Sequence, residues 1–225
     1  MEIRFLGHSA FELTHDGVTV LIDPFLTGNP KAAASADQVA ADAILVTHGH
    51  GDHLGDTVAI AKRTGASVVA IVELAQELAG DGVEDVRDPN LGGTVTFDWG
   101  SAKLVPAWHT STTPGGTVNT PAGVIVALGG TLVYHLGDTA LFGDLELIGR
   151  SHAIDVALIP IGGHYTMDRH DAVEAARMIG ARVVIPCHFD TFPPIETDAQ
   201  AFAADVENST ASEVIVLAPG ERHTV

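Results

Sequence analysis

The sequence predicts an α/β fold in which two β-rich sheets pack face to face and carry helices on their outer surfaces. Both halves of the 225-residue chain open with short apolar strands and acquire helical patterns only later, as such layering requires. A hydrophobic content of 46% and a mean hydropathy of +0.24 indicate dense burial rather than disorder. Val18–Asp23 and Thr131–Asp138 form a weak internal echo, since each follows a turn and contains an aspartate at or near its end, although coincidence explains it equally well.

The first elements are three short strands, predicted over Glu2–Leu6, Ala10–Thr14 and Val18–Ile22. His15-Asp16-Gly17 joins the last two, and an Asp-Gly step between alternating apolar residues is a strong hairpin signal. Residues 27–42 contain Ala, Ser and Gly and predict a loop with a short helix.

The next part of the chain alternates helices and strands before it returns to strands alone. Thr57–Thr64 suits a helix with Gly65 as its stop, and glycine is the usual residue at that position. The following elements are a strand over Ser67–Ile71, a helix over Glu73–Ala79 ending at Gly80, and strands over Thr94–Asp98, Ala102–Ala107, Gly123–Leu128 and Thr131–His135, with Gly129-Gly130 as a tight turn.

The last third of the chain alternates strands and helices again. Asp168 is expected to cap a helix that runs through Ile179 and closes at Gly180. The other predicted elements are strands over Asp155–Pro160, Arg182–Pro186 and Glu213–Ala218, and a helix over Asp198–Asn208. No stretch resembles a flexible linker, so we predict a single domain over residues 1–225.

A dense group of potential metal ligands occupies His48-Gly49-His50-Gly51-Asp52-His53. It directly follows the apolar run Ala43–Thr47, which is typical of a buried strand, so the group lies where the chain turns away from a sheet. Imidazole nitrogens and carboxylate oxygens are the donors that zinc and similar divalent ions prefer. The two glycines allow a turn tight enough for the side chains to converge. We therefore predict a metal site.

Further ligands are expected just beyond other buried strands, where the backbone is stiff and presents a side chain. Three positions meet this criterion: His109 after Pro106-Ala107-Trp108, Asp138 after Leu132–Gly137, and His188 after Val183–Cys187.

Composition excludes several classes of function. The formal net charge is −18, from 29 acidic and 11 basic residues, and the basic residues are scattered. Extended nucleic-acid binding is therefore disfavoured, because phosphate backbones are held chiefly by Lys and Arg. No apolar run approaches the roughly 18 residues of a membrane span, and the N-terminus does not resemble a signal peptide. A single cysteine, Cys187, fits a reducing cytoplasm, so the expected location is cytoplasmic.

The order His-x-His-x-Asp-His, then an isolated His, an Asp and a final His, resembles the metallo-β-lactamase superfamily. Shorter segments narrow the resemblance to a branch of metal-dependent hydrolases that is similar to ascorbate-6-phosphate lactonase: Leu6–Phe11, Ile22-Asp23-Pro24, Leu136–Thr139, Pro160–Met167 and Ile185–His188. The resemblance covers essentially the whole chain. It implies a four-layer αββα sandwich of two mixed sheets with helices on the outer faces, holding two metals at one edge.

The resemblance also implies a division of the ligands. His48, His50 and His109 would hold the first metal; Asp52, His53 and His188 would hold the second, and Asp138 would bridge them. A water between two cations loses a proton near neutral pH and becomes a nucleophile, which Asp52 can orient or deprotonate. Zn²⁺ is the expected ion, with Mn²⁺ or iron as alternatives. His135 is the rival to His109, but three residues along a strand place it on the opposite face from Asp138.

Four other residues carry two interpretations each. Asp23 either orients a metal-binding histidine or caps a turn. His8 is a substrate contact or leaving-group acid, or else a structural imidazole. His164, after a Gly-Gly pair at a strand end, is expected to contact substrate or donate a proton. Cys187 is expected to be a small core residue rather than a ligand.

The leading functional hypothesis is a binuclear hydrolase that uses a metal-bridging hydroxide to cleave a small ester, lactone or phosphodiester, with an anionic substrate expected. The alternatives are a mononuclear iron oxidoreductase on the same fold and a non-catalytic, metal-stabilised binding module. Nuclease activity is disfavoured by the charge, and lactam hydrolysis by the missing export signal. A homo-oligomer is an open alternative, because relatives of the lactonase type assemble into oligomers.

Overall fold

A computed structural model describes residues 1–225 and contains two seven-stranded sheets. The strands are Glu2–Gly7 (β1), Ala10–His15 (β2), Val18–Ile22 (β3), Ala43–Leu45 (β4), Ser67–Val69 (β5), Val86–Arg87 (β6), Thr94–Phe97 (β7), Gly100–Pro106 (β8), Ala122–Leu128 (β9), Thr131–His135 (β10), Val156–Pro160 (β11), Val183–Cys187 (β12), Glu213–Val214 (β13) and Arg222–Thr224 (β14). The α-helices are Gly51–Leu54 (α1), Thr57–Thr64 (α2), Val72–Gly80 (α3), Asp144–Ser151 (α4), Arg169–Ile179 (α5) and Ala199–Ser209 (α6), and Pro193–Ile195 is a short 3₁₀ helix.

The two sheets follow the same scheme. The first has the order β14-β1-β2-β3-β4-β5-β6, antiparallel through β3 and parallel from β3 to β6. The second has the order β13-β12-β11-β10-β9-β8-β7, antiparallel from β7 to β10 and parallel from β10 to β13. Both sheets are therefore mixed, as expected for the predicted sandwich.

The core lies between the sheets. Forty buried residues form one cluster that includes Phe11 and Leu45 from the first sheet and Val126 and Leu158 from the second. Helices α2 and α3 add side chains to this cluster, whereas α4, α5 and α6 pack on the other face of the second sheet in a separate cluster of 22 residues. The layering is helix, sheet, sheet, helix, so the fold class predicted from the sequence is confirmed.

Short-range sequence signals located most elements within one or two residues. In the hairpin between β2 and β3, Asp16 and Gly17 both adopt positive φ, 46° and 85°, as a two-residue turn between twisted strands requires. Asp168 accepts hydrogen bonds from the backbone N–H groups of His170 and Asp171 at the start of α5, and Gly180 ends that helix with φ of 65°.

The predictions for residues 27–42 and for the last strand were wrong in part. No helix forms in residues 27–42, because backbone groups there bond across the chain. For example, the Ala33 N–H donates to the Leu6 carbonyl, and Arg63 donates to the Val39 carbonyl. The last strand stops at Val214, after which the chain crosses to the first sheet and forms β14 against β1. None of the helices has the length and apolar character needed to cross a membrane.

Candidate metal centre

The ligand-rich loop follows β4, the central strand of the parallel part of the first sheet, and continues into α1. Its tightest point is Gly49, where an added Cβ would lie 2.5 Å from Asn119 Nδ2 and 2.7 Å from Thr113 Cγ2. The Gly49 N–H donates to Ser111 Oγ and Asn119 Oδ1, at 2.9 and 3.1 Å. The segment after His109 therefore clamps the loop, and only glycine fits beneath it.

Asp23 determines which ring nitrogens of two histidines remain free. Its Oδ2 lies 2.7 Å from His53 Nδ1 and also accepts a 2.6 Å hydrogen bond from the Thr47 hydroxyl. Because that hydroxyl proton is committed, Thr47 Oγ1 accepts from His48 Nδ1, 3.0 Å away. Both Nδ1 atoms therefore carry hydrogen, and Nε2 is the nitrogen of each ring that can bind a cation. Burial opposes the charge on Asp23, yet the adjacent His53 lowers the pKa of its carboxyl below 3.8.

The predicted donors converge as two groups. The donor atoms of His48, His50 and His109 lie within 4.8 Å of one another, and so do those of Asp52, His53, His188 and His8. Asp138 lies between the groups. Its Oδ1 is 3.2 Å from His53 Nε2, and its Oδ2 is 3.2 Å from His188 Nε2, 3.6 Å from His109 Nε2 and 3.9 Å from His48 Nε2.

The chemistry of these donors fits metal ions. His53 Nε2, Asp138 Oδ1 and both ring nitrogens of His188 are buried and lack a partner in hydrogen-bonding geometry. Buried polar atoms in folded proteins almost always have such a partner, and cations held between these atoms would supply it. Burial holds the pKa of His48 well below 6.5, so its imidazole is neutral, as a ligand must be.

His53 and Asp138 shift each other's pKa in opposite directions. Although burial disfavours charge on both residues, Asp138 and Asp23 raise the pKa of His53 well above 6.5, while His188 and His53 hold that of Asp138 well below 3.8. Without a cation the pair retains a proton. A divalent ion takes the place of that proton, so metal binding is expected to release it.

The backbone is unusual at the same edge. Six residues other than glycine have positive φ, and three of them are His8, Asp23 and His188, at 60°, 45° and 53°. The cost of this conformation is about 1 kcal/mol or more per residue, so the surrounding hydrogen bonds must hold it. One of these bonds joins two of the strained residues directly, since the His188 N–H donates to the His8 carbonyl at 2.7 Å.

A cavity of about 260 Å³ opens onto the donors. Its lining residues are His50, Asp52, His109, Thr110, Asp138, Tyr165 and His188. Asp52 keeps about a third of its side chain exposed there and also contacts His8. Despite partial burial, the hydrogen bond from His8 lowers the pKa of Asp52 below 3.8, so the carboxylate is charged.

Neither His8 nor His164 lines the cavity at the donors. His8 is buried, with Nδ1 on Thr191 and Nε2 on Asp52, so both ring nitrogens are occupied. His164 is exposed and does not line the cavity, whereas its neighbour Tyr165 does. Tyr165 was not among the residues predicted for the site, although the Gly162-Gly163 pair before it was a usable signal. The catalytic roles expected for both histidines stay predictions.

His135 and Cys187 offer no donor to the centre. His135 Nδ1 accepts from the Gly137 N–H at 2.9 Å, and Nε2 lies 3.0 Å from the Ser9 carbonyl, so backbone groups occupy both nitrogens. Cys187 is fully buried beside His188, and burial raises the pKa of its thiol well above 9.0. The thiol is therefore protonated and unreactive in the folded protein.

Comparison with known proteins assigns the chain to a family. Residues 2–188 match the model of the beta-lactamase superfamily domain. The chain is 50% identical to a UPF0173 metal-dependent hydrolase of Methanopyrus kandleri, with 99% of each sequence covered. It is 49% identical to a metal-dependent hydrolase of Thermus thermophilus, covering 98% of this chain and 97% of that one.

Solved structures agree with these sequence relatives. The fold matches Igni18, a metallo hydrolase from Ignicoccus hospitalis, with a TM-score of 0.90 and 37% identity over 99% of this chain and 97% of the other. The ligand order, the two mixed sheets and these relatives lead to one conclusion: the chain belongs to the metal-dependent hydrolases of the metallo-β-lactamase superfamily.

Proposed function

We propose that this hydrolase works with two metal ions and cleaves a small ester, lactone or phosphodiester. The observation that carries the proposal is the position of Asp138, whose carboxylate lies within 4 Å of a histidine from each donor group. A shared carboxylate between two sets of donors can hold two divalent cations close together despite their mutual repulsion.

The two sets have different compositions. His48, His50 and His109 would hold one ion through imidazoles alone, while Asp52, His53 and His188 would hold the other with one carboxylate among them. When bound, a pair of divalent ions supplies hydroxide near neutral pH and polarises the oxygen of the bond under attack. The mixed nitrogen and oxygen donors suit Zn²⁺, and Mn²⁺ or iron are the alternatives.

Asp52 is the residue we assign to proton transfer. It is a charged carboxylate that lines the cavity beside Asp138, and His8 fixes one of its oxygens. A carboxylate in this position can orient the attacking water and accept its proton. His48, which is fully buried, has no such access and serves only to bind.

Metal content measured together with hydrolysis tests the proposal. Protein purified without added metal is reconstituted with Zn²⁺, Mn²⁺ or iron, and bound metal is counted before assays on ester, lactone and phosphodiester panels. The wild type should bind two equivalents and hydrolyse at least one panel member. Asp138→Ala should lose hydrolysis, whereas Asp88→Ala, which removes an exposed carboxylate that belongs to neither donor group and does not line the cavity, should retain it.

Each contrary result identifies an alternative. A single equivalent of iron with oxidase activity would indicate a mononuclear oxidoreductase. Tight uptake of metal with no turnover across the panels would indicate a metal-stabilised binding module. Hydrolysis that persists in Asp138→Ala would contradict the shared-carboxylate arrangement itself.

A further inference from the structure

Three of the four large apolar side chains that are exposed belong to segments that lie next to the metal donors. The large hydrophobic residues with exposed side chains are Trp108, Val118, Leu147 and Tyr165, exposed by 68, 73, 52 and 55%. Trp108 immediately precedes His109, and Val118 precedes Asn119, which accepts from the Gly49 N–H. Tyr165 lines the cavity itself. Exposed apolar residues concentrated in one region usually mark a binding surface.

Two of these residues are fixed relative to the metal centre through one buried threonine. Thr139, the residue after Asp138, accepts a 3.0 Å hydrogen bond from the Trp108 N–H through its hydroxyl. Its carbonyl accepts a 3.1 Å bond from the N–H of Met167, and the Met167 carbonyl accepts from the Gly163 N–H at 2.9 Å, which closes the turn that carries Tyr165. The segments of both aromatic residues are therefore attached to the same point beside the donors.

The cavity offers no positive side chain to an anionic substrate. None of its seven lining residues is Lys or Arg, and the whole chain carries a formal net charge of −18. Arg and Lys are the residues that recognise carboxylate and phosphate groups in binding sites. Apart from the proposed metal ions, an anionic group of the substrate would meet Asp52 and no Lys or Arg in the cavity lining.

We propose that the substrate is a neutral carboxylic ester or lactone with an apolar arm that packs on Trp108, Val118 and Tyr165. This inference rests on the proposed hydrolytic function and replaces the anionic substrate expected from the sequence. The oxygen of water forms a new bond to the carbonyl carbon as the ester C–O bond breaks. The leaving alkoxide takes up one proton, and the second is released from the carboxylic acid product.

Three p-nitrophenyl esters test the substrate class with the metal-loaded protein: the acetate, the hexanoate and the adipate monoester, which has the hexanoate chain with a terminal carboxylate. Four additional methylenes in contact with apolar surface should raise kcat/KM for the hexanoate at least about 10-fold above that for the acetate. The adipate monoester should lose that gain. Trp108→Ala and Tyr165→Ala should reduce the preference for hexanoate over acetate.

Leu147→Ala is the matched control, because it removes an exposed apolar side chain on α4, whose residues include none of the metal donors. It should keep the preference. A preference for the adipate monoester or for bis(p-nitrophenyl) phosphate, or an unchanged ester preference in both aromatic variants, would overturn the inference. The inference would also be overturned if the wild type were an oligomer and Trp108→Ala dissociated it. A second copy of the chain would then cover Trp108, Val118 and Tyr165 in place of a substrate. If no substrate is hydrolysed, the proposed function itself fails.

A second inference stands on different contacts, those of His8. Its Nδ1 lies 2.9 Å from Thr191 Oγ1, and its Nε2 lies 3.2 Å from Asp52 Oδ2. Both His8 and Thr191 are buried, so bulk water does not compete for the hydrogen bond between them. The carbonyl of His8 accepts from the His188 N–H, which fixes its backbone against a second donor residue.

The geometry assigns His8 as a positioning residue for Asp52, with Thr191 fixing its tautomer. The charged Asp52 carboxylate requires a hydrogen on Nε2, so Nδ1 accepts from the Thr191 hydroxyl at 2.9 Å, a shorter contact than the 3.4 Å to that hydroxyl's other acceptor, the Phe189 carbonyl. The other Asp52 carboxylate oxygen is left for the cation. Such partners of a metal ligand typically contribute about 10- to 100-fold to metal affinity. The inference rests on the proposed pair of ions, because Asp52 belongs to only one of the two sets.

Competition with a chromophoric chelator measures the affinity for the second equivalent of Zn²⁺. We expect His8→Leu to weaken it by about 10- to 100-fold and His8→Gln, which retains a donor, to recover part of the loss. Thr191→Val should weaken it less, and Thr191→Ser should match the wild type. The absorption spectrum of bound Co²⁺ should indicate the same coordination number in every variant as in the wild type.

Two outcomes overturn this assignment while leaving the pair of ions intact. One is an unchanged second affinity in both His8→Leu and Thr191→Val. The other is a loss far beyond about 100-fold with an altered Co²⁺ coordination number, which would make His8 a direct ligand. A wild type that takes up only one equivalent refutes the two-ion proposal, and the positioning role with it.

Discussion

Asp23 touches neither the cavity nor solvent, yet it determines which nitrogen of His53 can reach a cation. Replacing it with asparagine removes the charge 2.7 Å from His53 Nδ1 and weakens the bond that holds Thr47. We expect Asp23→Asn to reduce metal affinity by about 10- to 100-fold, measured by chelator competition. Asp88→Asn, at an exposed position, should change nothing, and equal affinities in the two variants would contradict the role given to Asp23.

His8 makes the stability of the metal-free protein depend on pH. Burial lowers its pKa from 6.5 to about 4, although the hydrogen bond to Asp52 acts in the opposite direction. The unfolded chain therefore binds a proton here that the folded protein does not, and stability falls as the pH drops from 6.5 to about 4. The difference is worth at most about 3 kcal/mol.

Urea unfolding of metal-free protein near pH 6.5 and near pH 4 measures this loss. The raised pKa of His53 changes stability with pH in the opposite direction. The wild type is therefore compared with His8→Gln, which lacks the His8 imidazole and keeps His53. The variant should lose less free energy of unfolding than the wild type between the two values. Equal losses would exclude His8 as the source.

At the residue scale, the sequence identified histidines and aspartates that the structure brings together, but it did not predict the contacts around them. The histidines and aspartates that converge were recognisable because each follows a buried strand, a local signal. His164 was predicted for the site, whereas its neighbour Tyr165 lines the cavity. Which of two adjacent side chains faces the cavity depends on the backbone angles, here a φ of 49° at His164. No sequence pattern indicated that Thr191, 183 residues away, would bond to His8.

The loop after β4 and the segment at residues 111–119 form one unit whose fit depends on Gly49. An added methyl group would lie 2.5 Å from Asn119 Nδ2 and 2.7 Å from Thr113 Cγ2, so Gly49→Ala must displace these two side chains, one of which binds the Gly49 N–H. We expect a loss of about 1–3 kcal/mol and weaker metal binding, measured by urea unfolding and metal titration. Gly143→Ala, with φ of −65° and open space around the Cβ, is the control and should be neutral.

Elements with a local signal were predictable, and those fixed by remote contacts were not. The Asp16-Gly17 hairpin and the capped helix α5 carry their own turn and cap residues. Strand β14 is only Arg222–Thr224, polar and short, and it exists because β1 offers a free edge. Helix α4 was also overlooked, although its buried Leu145 and Ile148 lie three residues apart.

The donors come from both sheets, so bound metal joins the two halves of the molecule. His48 to His53 follow a strand of the first sheet, whereas His109, Asp138 and His188 follow strands of the second. At a free metal concentration of 100 times Kd, binding should stabilise the fold by about 2.7 kcal/mol. We expect chelation to lower Tm by about 5–10 °C, measured by differential scanning calorimetry. Asp138→Ala should show a much smaller dependence on metal, and equal shifts would argue for stabilising metal elsewhere.

The fold class was accessible from the sequence because strands and helices recur in the same order in both halves. The pairing of the sheets was not, since it depends on a 40-residue core drawn from distant segments.

The single thiol of the chain, buried at the end of β12, can report how often this strand opens. Cys187 is protonated and inaccessible until the strand that presents His188 separates from its neighbours. A chromogenic disulfide reagent should therefore label the native protein only as fast as that strand opens, and cation binding should slow the labelling. Labelling at the rate of a free thiol, with or without cation, would contradict this expectation, because the thiol would then be accessible without any opening that the cation opposes.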